Sequence, residues 1–395
     1  MKKLIFLVFL LFSSTVFASD VIPYLAPDNS YGAFKYFLSQ SNNNLVIGVY
    51  EFTSHNMAQD LIDSKKNITV MVEKSPVGGL IGEDVLCAMQ KKGIKVWLTG
   101  AYNYMHAKYA ISGDTVLIGT ENFGETGYPT DSTGNRGWGV IIKDREIAGE
   151  LRNIFYIDLS KSVEFECRLK DYELHSDDDL TKFTPRIYEN QSITLLAAPP
   201  LVAEIIDIIN SSKSSIKIEQ HYIHRHWGSK KNYTPNLFLE AAIEKSREGK
   251  NVKILLDSIW FNVDKDDPNS NYYTDIYINE IAEKESLPLQ SRLIDLEALE
   301  LEKAHIKGVI IDDNIVFLSS VNWGENSPTE NREIGVLIKG DSAEYFLNAF
   351  NNDWIGKKTA LEKEGDNTLI IAAFAVILII VILIIVYFYL KKGKE

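Results

Sequence analysis

Two short motifs in this chain combine side chains that bind and transfer phosphate. His106 and Lys108 stand two residues apart, and so do His305 and Lys307. Alternate residues of a β-strand point to the same face, so each pair would present an imidazole beside an ammonium group. The two pairs therefore predict a site that receives a phosphate ester.

An asparagine, Asn122 or Asn322, follows each pair at the end of the next predicted strand. A hairpin return would bring each asparagine beside its own histidine and lysine. Ammonium and amide groups donate to phosphate oxygens and would stabilise the charge that builds there in the transition state. One neutral histidine can attack phosphorus while the other donates a proton to the leaving oxygen. This chemistry calls for no metal and no cofactor.

The motifs recur because the chain repeats one pattern of strands and helices, first over residues 44–159 and again over 215–354. Strands that alternate with helices predict an α/β sandwich in each half. The acidic, polar stretch 171–184 separates the halves, and residues 261–286 form an insertion in the second. A lone pair of this kind arises by chance on many surface strands, but recurrence at equivalent positions indicates function.

Both motifs resemble those of the phospholipase D superfamily. The second copy, with His305-Ile-Lys307, Asp312 and Ser319-Ser-Val-Asn-Trp323, looks like the family's His-x-Lys-x4-Asp and Gly-Ser-x-Asn motif. The first copy contains His106-Ala-Lys108 and Gly119-Thr-Glu-Asn-Phe123. The resemblance implies two pseudo-twofold-related α/β lobes with one active site at their interface. It also implies metal-independent phosphodiester chemistry through a phosphohistidine.

The resemblance also assigns supporting residues, with some departures. Asp312 stands at the motif's aspartate, whereas the first copy has Gly113 there and Asp114 one residue later. Thr120 and Ser320 occupy the position of the motif's serine, so both copies keep a hydroxyl.

An acidic residue after the motif often orients the histidine of the opposite half in this family. Glu333 fits that place and would hold His106, whereas Gly137 stands at the matching position of the first half. This asymmetry predicts His106 as the nucleophile and His305 as the acid and base. Two acidic residues are candidate substitute partners for His305, namely Asp131 and Glu125. The alternative is that one half has decayed and activity is low.

The two ends of the chain predict export and a membrane tether. Residues 1–18 read as a signal peptide, and residues 369–390 form an uncharged apolar run long enough to span a bilayer. Lysines after the run predict a cytoplasmic C-terminus. The expected segments are a first lobe at 19–170, a linker at 171–190, a second lobe at 191–358, a juxtamembrane stretch at 359–368 and a tail at 391–395. The expected partners are a phosphodiester substrate and the membrane, with no obligatory protein partner.

The formal net charge of −13 disfavours long-range attraction of nucleic acid or anionic lipid. Export would permit a disulfide between Cys87 and Cys167, although two buried free thiols fit equally well. Three histidines cluster after a predicted strand, and an ordinary polar loop is favoured there over a substrate-facing rim or a metal site. They are His221, His224 and His226.

Three functions fit these features. The membrane tether slightly favours a phospholipid hydrolase or headgroup transferase, since its substrate would lie in the adjoining bilayer. An extracellular nuclease of the same superfamily is the second, because aromatic residues beside the motifs could stack on bases. A non-catalytic, anion-binding surface protein is the third, and the missing carboxylate at Gly137 supports it.

Overall fold

The computed structural model describes residues 19–170, 172–228 and 232–356. The predicted signal peptide at 1–18 and the predicted membrane span at 369–390 lie outside these residues. Within the described ranges, no helix is both long and apolar enough to cross a bilayer.

The first half of the described chain alternates strands with helices. Its strands are β1 (Ser19–Ala26), β2 (Asn44–Val49), β3 (Asn67–Glu73), β4 (Lys95–Thr99), β5 (Lys108–Ser112), β6 (Thr115–Gly119), β7 (Gly134–Lys143) and β8 (Val163–Glu164). Its helices are α1 (Ser30–Gln40), α2 (His55–Asp63), α3 (Glu83–Lys91) and α4 (Arg145–Leu159).

The second half repeats this order and adds short elements. Its strands are β9 (Tyr188–Ala198), β10 (Ser215–Gln220), β11 (His226–Trp227), β12 (Thr234–Pro235), β13 (Asn251–Leu256), β14 (Leu289–Leu293), β15 (Leu301–Ala304), β16 (Lys307–Ile311), β17 (Ile315–Ser319) and β18 (Glu333–Lys339). Its helices are α5 (Val202–Asn210), α6 (Leu237–Arg247), α7 (Asn271–Glu285), α8 (Leu296–Leu299), α9 (Asn326–Glu330) and α10 (Ala343–Trp354).

One mixed sheet runs through both halves. Its order is β14-β13-β10-β16-β17-β18-β9-β1-β7-β6-β5-β2-β3-β4-β8, with β15 added beside β7. From β9 outward, the second half repeats the strand order that the first half shows from β1 outward. The halves join where β1 pairs antiparallel with β9. The two lobes are therefore α/β units, as the sequence predicts, and one sheet passes through both, which the sequence does not predict.

The sequence does not predict the joining strands β1 and β9, because each contains residues that are uncommon in strands. In β1, Pro23 lacks the amide hydrogen that a strand normally offers, which weakens the strand signal. In β9, the polar residues Glu189, Asn190 and Gln191 precede the apolar part. Strand β9 also begins at Tyr188, inside the stretch 171–190 that the sequence assigns to a linker.

A core shared by both lobes fixes their relative position. Helices α4 and α10 contribute side chains to one buried cluster that also contains residues of β5, β7, β16 and β18. Trp138 of the first lobe packs on Phe346 of the second, with ring centroids 5.1 Å apart. A Cβ atom at Gly308 would lie 2.3 Å from the Trp138 ring, so only glycine permits this approach.

The two cysteines are bonded to each other. Cys87 lies in α3 and Cys167 follows β8, with Cα atoms 5.0 Å apart. Of the two alternatives that the sequence leaves open, the disulfide is the one present, and it ties the segment after β8 to the first lobe.

Candidate active site

The two motif histidines face one cavity of about 680 Å³ between the lobes. His106 directly precedes Ala107 and β5, and His305 occupies the equivalent place before β16. Tyr50, Tyr222 and Lys303 line the same cavity. Two motifs that lie far apart in the chain are thus brought to a single site.

Each lobe holds the backbone of the other lobe's histidine. The amide of His106 donates to the carbonyl oxygen of Arg332 at 2.8 Å, and the amide of His305 donates to that of Arg136, also at 2.8 Å. The histidines are therefore positioned by the interface itself, and separation of the lobes would displace both.

The same two arginines form ion pairs across the interface. The Arg332 guanidinium of the second lobe lies 2.8 Å from Asp158 at the end of α4. The Arg136 guanidinium of the first lobe lies 3.1 Å from Asp353 at the end of α10. Burial of Arg136 and Asp353 makes this pair costly to break, because an unpaired charge would remain inside the protein.

A carboxylate orients the imidazole of His106. Its Nδ1 lies 2.9 Å from Oε2 of Glu333, which is the contact that the sequence predicts. Burial lowers the pKa of His106 below its usual value, although Glu333 opposes this change. Burial alone would raise the pKa of Glu333, but His106 and Lys108 outweigh it and lower that pKa. A neutral His106 that donates from Nδ1 keeps a lone pair on Nε2, which suits a nucleophile.

The carboxylate beside His305 is one that the sequence does not single out. Nδ1 of His305 lies 3.3 Å from Oε1 of Glu121, although the two do not form a well-aligned hydrogen bond. The predicted substitutes are wrong, because Asp131 instead accepts from Thr133 and Glu125 lies beside His175. Burial chiefly lowers the pKa of His305 well below its usual value, and the neighbouring lysines add to this.

Glu121 takes up the space left by the glycine at position 137. A Cβ atom at Gly137 would lie 2.5 Å from Cγ of Glu121. In the second lobe the equivalent two positions carry Val321 and Glu333. The second lobe therefore carries its carboxylate, Glu333, at the start of β18, whereas the first lobe carries Glu121 just after β6. Each lobe still provides one carboxylate. The absence at Gly137 is no sign of a decayed half.

Three lysines lie within two residues of the motif histidines in the chain, and of these Lys303 lines the cavity. Lys108 and Lys307 are buried, and Nζ of Lys307 donates to the carbonyl oxygen of His305 at 2.7 Å, as Lys108 does to that of His106. Burial lowers the pKa of Lys108 to about 8 and that of Lys307 well below its usual value. Lys303, which the sequence does not reveal, lines the cavity as a third ammonium group. An anionic ligand would favour the protonated form of both buried lysines and so oppose the effect of burial on their pKa values.

The two asparagines occupy equivalent positions with different partners. Nδ2 of Asn122 donates to Oε2 of Glu51 at 2.8 Å. Asn322 lines the cavity and shares a hydrogen bond with the Tyr222 hydroxyl, which partly offsets the rise that burial causes in the pKa of Tyr222. Both amides lie at strand ends beside their own motif, as the hairpin interpretation requires.

The hydroxyls at the motif's serine position hold the backbone. Oγ1 of Thr120 accepts from the Trp138 amide at 3.0 Å, and Oγ of Ser320 accepts from the Ile334 amide at 3.1 Å. Both are buried and neither lines the cavity. Their supporting role is to fix the strand ends that carry Asn122 and Asn322.

The two predicted aspartates lie away from the cavity. Asp312 sits at the turn between β16 and β17, where it accepts from the backbone amides of Ser214 and Ser215 at 2.8 and 3.0 Å. These bonds outweigh partial burial and lower the pKa of Asp312 to about 2. Asp114 occupies the matching turn, where its carbonyl oxygen accepts from Asp144. Both turns lie at the strand ends opposite the motif lysines, so these aspartates stabilise the fold.

The histidine cluster of the second lobe lines the cavity, although the sequence favours an ordinary loop. His221, His224 and His226 all border it. The ring of His221 lies 4.8 Å from that of His305, and its Nδ1 lies 2.9 Å from the Ala304 carbonyl oxygen. Among the described residues these three do not converge as a group of metal ligands.

Two pseudo-twofold lobes that close paired His-x-Lys motifs around one cavity define a class of phosphodiester-acting proteins. A family profile described as "Cardiolipin synthase, PLD-like domain" matches residues 35–159 and 205–354, which is more than half of the chain. This chain therefore belongs to the phospholipase D-like family. No curated protein matches the sequence significantly.

Solved structures share the fold at low sequence identity. Phosphatidylserine synthase from Haemophilus influenzae Rd KW20 matches with a TM-score of 0.61 and 14% identity, over 85% of this chain and 86% of that one. Polyphosphate kinase from Porphyromonas gingivalis matches with a TM-score of 0.51 and 13% identity, over 87% of this chain and 53% of that one. At these identities the likeness concerns the fold alone.

Proposed function

We propose that this chain is a membrane-tethered extracytoplasmic phosphodiesterase that acts on phospholipid through a covalent phosphohistidine. The observation that carries the proposal is the pair of histidines that face one cavity, each with Nδ1 within 3.3 Å of a carboxylate of the opposite lobe and each followed by a motif lysine. Whether water or an alcohol receives the phosphatidyl group follows from which one enters the cavity after the first step.

In the first step, Nε2 of His106 attacks phosphorus and the bond to the leaving alcohol oxygen breaks. His305 gives the alcohol its proton. In the empty cavity His305 is neutral, because burial and the lysine charges lower its pKa. A bound phosphodiester anion offsets those charges and favours the imidazolium. In the second step His305 takes a proton from water or alcohol, which attacks phosphorus and releases His106.

The charge that develops on phosphate needs donors already in place, and the lysines supply them. Lys108 and Lys307 come from opposite lobes, so they approach the phosphate from two sides. Fixed donors in a site shielded from water stabilise such charge more strongly than water does. The proposed route therefore relies on this chain's own cations for charge stabilisation.

Exposed apolar side chains at the cavity mouth favour a lipid substrate. Val77 follows β3 and is 73% exposed, and Trp260 and Phe261 follow the equivalent strand β13, at 78% and 42% exposure. Val77 and Phe261 also line the cavity. Apolar tips on both sides of a site suit insertion into a lipid surface. A nuclease would need a basic surface, whereas the formal net charge is −13.

The substrate class is tested with the purified full chain and two substrates. We expect release of the headgroup from labelled phosphatidylcholine vesicles, and no cleavage of single-stranded DNA under the same conditions. Cleavage of DNA with inert vesicles would establish the nuclease instead. Binding of inorganic phosphate without turnover of either substrate would establish the non-catalytic protein.

Removal of the exposed indole should impair action on vesicles selectively. Trp260→Ser is expected to lower vesicle turnover about tenfold, since one aromatic anchor contributes about 1–2 kcal/mol at an interface. Turnover of a soluble short-chain phospholipid should stay unchanged. Ile157→Ser is the matched control, because Ile157 is 54% exposed on α4, away from the cavity lining. Equal losses on both substrates would refute the docking role of Trp260.

Activity at low substrate concentration should decline above about pH 8. The ammonium of Lys108 loses its proton as pH rises through its lowered pKa of about 8, and the cavity then loses one cation. The value of kcat/KM should fall about tenfold per pH unit, whereas kcat should fall less because bound phosphate holds the proton. Lys108→Arg should move this decline to higher pH. A decline that stays in place in Lys108→Arg would assign it to another group.

A further inference from the structure

Four polar side chains from separate segments converge on the first lobe, outside the residues that line the cavity. His55 opens α2, Asp84 lies in the first turn of α3, and Glu125 follows β6. His175 lies in the segment between the lobes, and its side chain is 62% exposed. Segments that meet in this way bring two imidazoles and two carboxylates together without any part in the proposed chemistry.

The side chains of this cluster lie close together without forming short hydrogen bonds to one another. Nε2 of His55 lies 3.5 Å from Oδ2 of Asp84, and Nε2 of His175 lies 3.6 Å from Oε1 of Glu125. Both exceed the roughly 2.7–3.2 Å of a good hydrogen bond. One ligand atom from each of His55, Glu125 and His175 lies within 4.8 Å of the other two.

We propose that His55, Glu125 and His175 bind one Zn²⁺ ion, with water as the fourth ligand. Zinc bonds to imidazole nitrogen and carboxylate oxygen measure about 2.0–2.2 Å, so tetrahedral ligand atoms lie about 3.4 Å apart. The distance of 3.6 Å between Nε2 of His175 and Oε1 of Glu125 is close to that edge. The rings of His55 and His175 are stacked, with centroids 3.7 Å apart, so the exposed His175 ring must rotate for both imidazoles to aim a nitrogen at one ion. Two imidazoles with carboxylates suit zinc better than magnesium or calcium, which prefer oxygen ligands alone.

The ion would fasten the segment between the lobes to the start of α2 and to the loop after β6. At present the backbone amide of His175 lies 3.5 Å from Nδ1 of His55, and the amide of Asp177 donates to Asn56 at 2.9 Å. His55 follows Glu51 closely in the chain, and Glu125 follows Asn122. The side chains of Asn122 and Glu51 are hydrogen-bonded to each other. Zinc would therefore stiffen both chain segments that carry this pair.

The proposal is tested on the full chain after removal of metal with a chelator and dialysis. Titration calorimetry with Zn²⁺ should show one ion per chain, and Co²⁺ should give the visible absorption of a tetrahedral complex. Zinc should also raise the Tm by a few degrees, because it binds the folded state. None of these measurements depends on turnover, so they stand apart from the proposed function.

The ligand assignment is tested with three variants. His175→Ala and Glu125→Gln should each weaken zinc binding at least about tenfold and abolish the Tm shift, since each removes one ligand. His226→Ala, at the cavity, should bind zinc as the unaltered chain does. If zinc binding survives in His175→Ala but is lost in His226→Ala, the ion belongs to the cavity histidines and the proposal is wrong. Failure of the unaltered chain to bind Zn²⁺ or Co²⁺ would also overturn it.

Discussion

His106→Ala is expected to lower phospholipid turnover by at least about 10⁴-fold, with little change in Tm. The imidazole forms the covalent bond to phosphorus, and no other group can replace it at that position. Its Nε2 faces the cavity because Nδ1 is engaged by Glu333. Circular dichroism and the Tm serve as the control for folding. A His106→Ala variant with more than a few per cent of normal activity would rule out this nucleophile.

The intermediate itself distinguishes the two histidines. After rapid quenching of a reaction with phospholipid labelled in its acyl chains, acid-labile label should appear on the peptide that contains His106. In His305→Ala, release of this label should slow, because no base activates the incoming water. Label on the His305 peptide would exchange the two roles while leaving the phosphohistidine mechanism intact.

The sequence predicts the motif residues well because they recur. Repetition at equivalent positions identifies His106 and His305, and the strand period predicts that Lys108 and Lys307 accompany them. The shared sheet is not predictable in this way. It depends on the pairing of β1 with β9, a contact between distant strands whose own patterns are weak. Local periodicity carries no information about which edges of two lobes will meet.

Residues without a repeated partner are the ones that sequence reasoning misses. Lys303 lines the cavity without belonging to a motif, and the sequence offers no signal for it. Glu121 has a faint signal, since it is a carboxylate directly before a motif asparagine, where the second copy has a valine. Its meaning becomes clear only when Gly137 is known to lie against it. Conversely, Asp312 matches a motif yet lies at a distant turn, so motif membership alone does not place a residue in the cavity.

Replacement of Glu121 and Gly137 by the equivalent residues of the second lobe, Val321 and Glu333, is expected to have a large effect on kcat. Glu121→Val removes the carboxylate beside His305, and kcat should fall about 100- to 1,000-fold. Loss of a directly hydrogen-bonded orienting carboxylate costs about 10⁴-fold in a serine protease, and the 3.3 Å contact here is weaker. Gly137→Glu alone should lose stability by about 1–3 kcal/mol, since its Cβ would lie 2.5 Å from the Glu121 side chain.

The double variant Glu121→Val, Gly137→Glu recreates the Val321 and Glu333 arrangement in the first lobe. If activity depends on a carboxylate near Nδ1 of His305, kcat of the double variant should be at least about tenfold higher than that of Glu121→Val. The pH dependence of kcat separates this positioning role from a structural one. In Glu121→Val the titration of His305 should shift to lower pH, because the imidazolium loses a neighbouring negative charge, and the double variant should reverse the shift. Recovery of Tm without recovery of kcat or of the pH profile would mean that Glu121 only fills space beside Gly137.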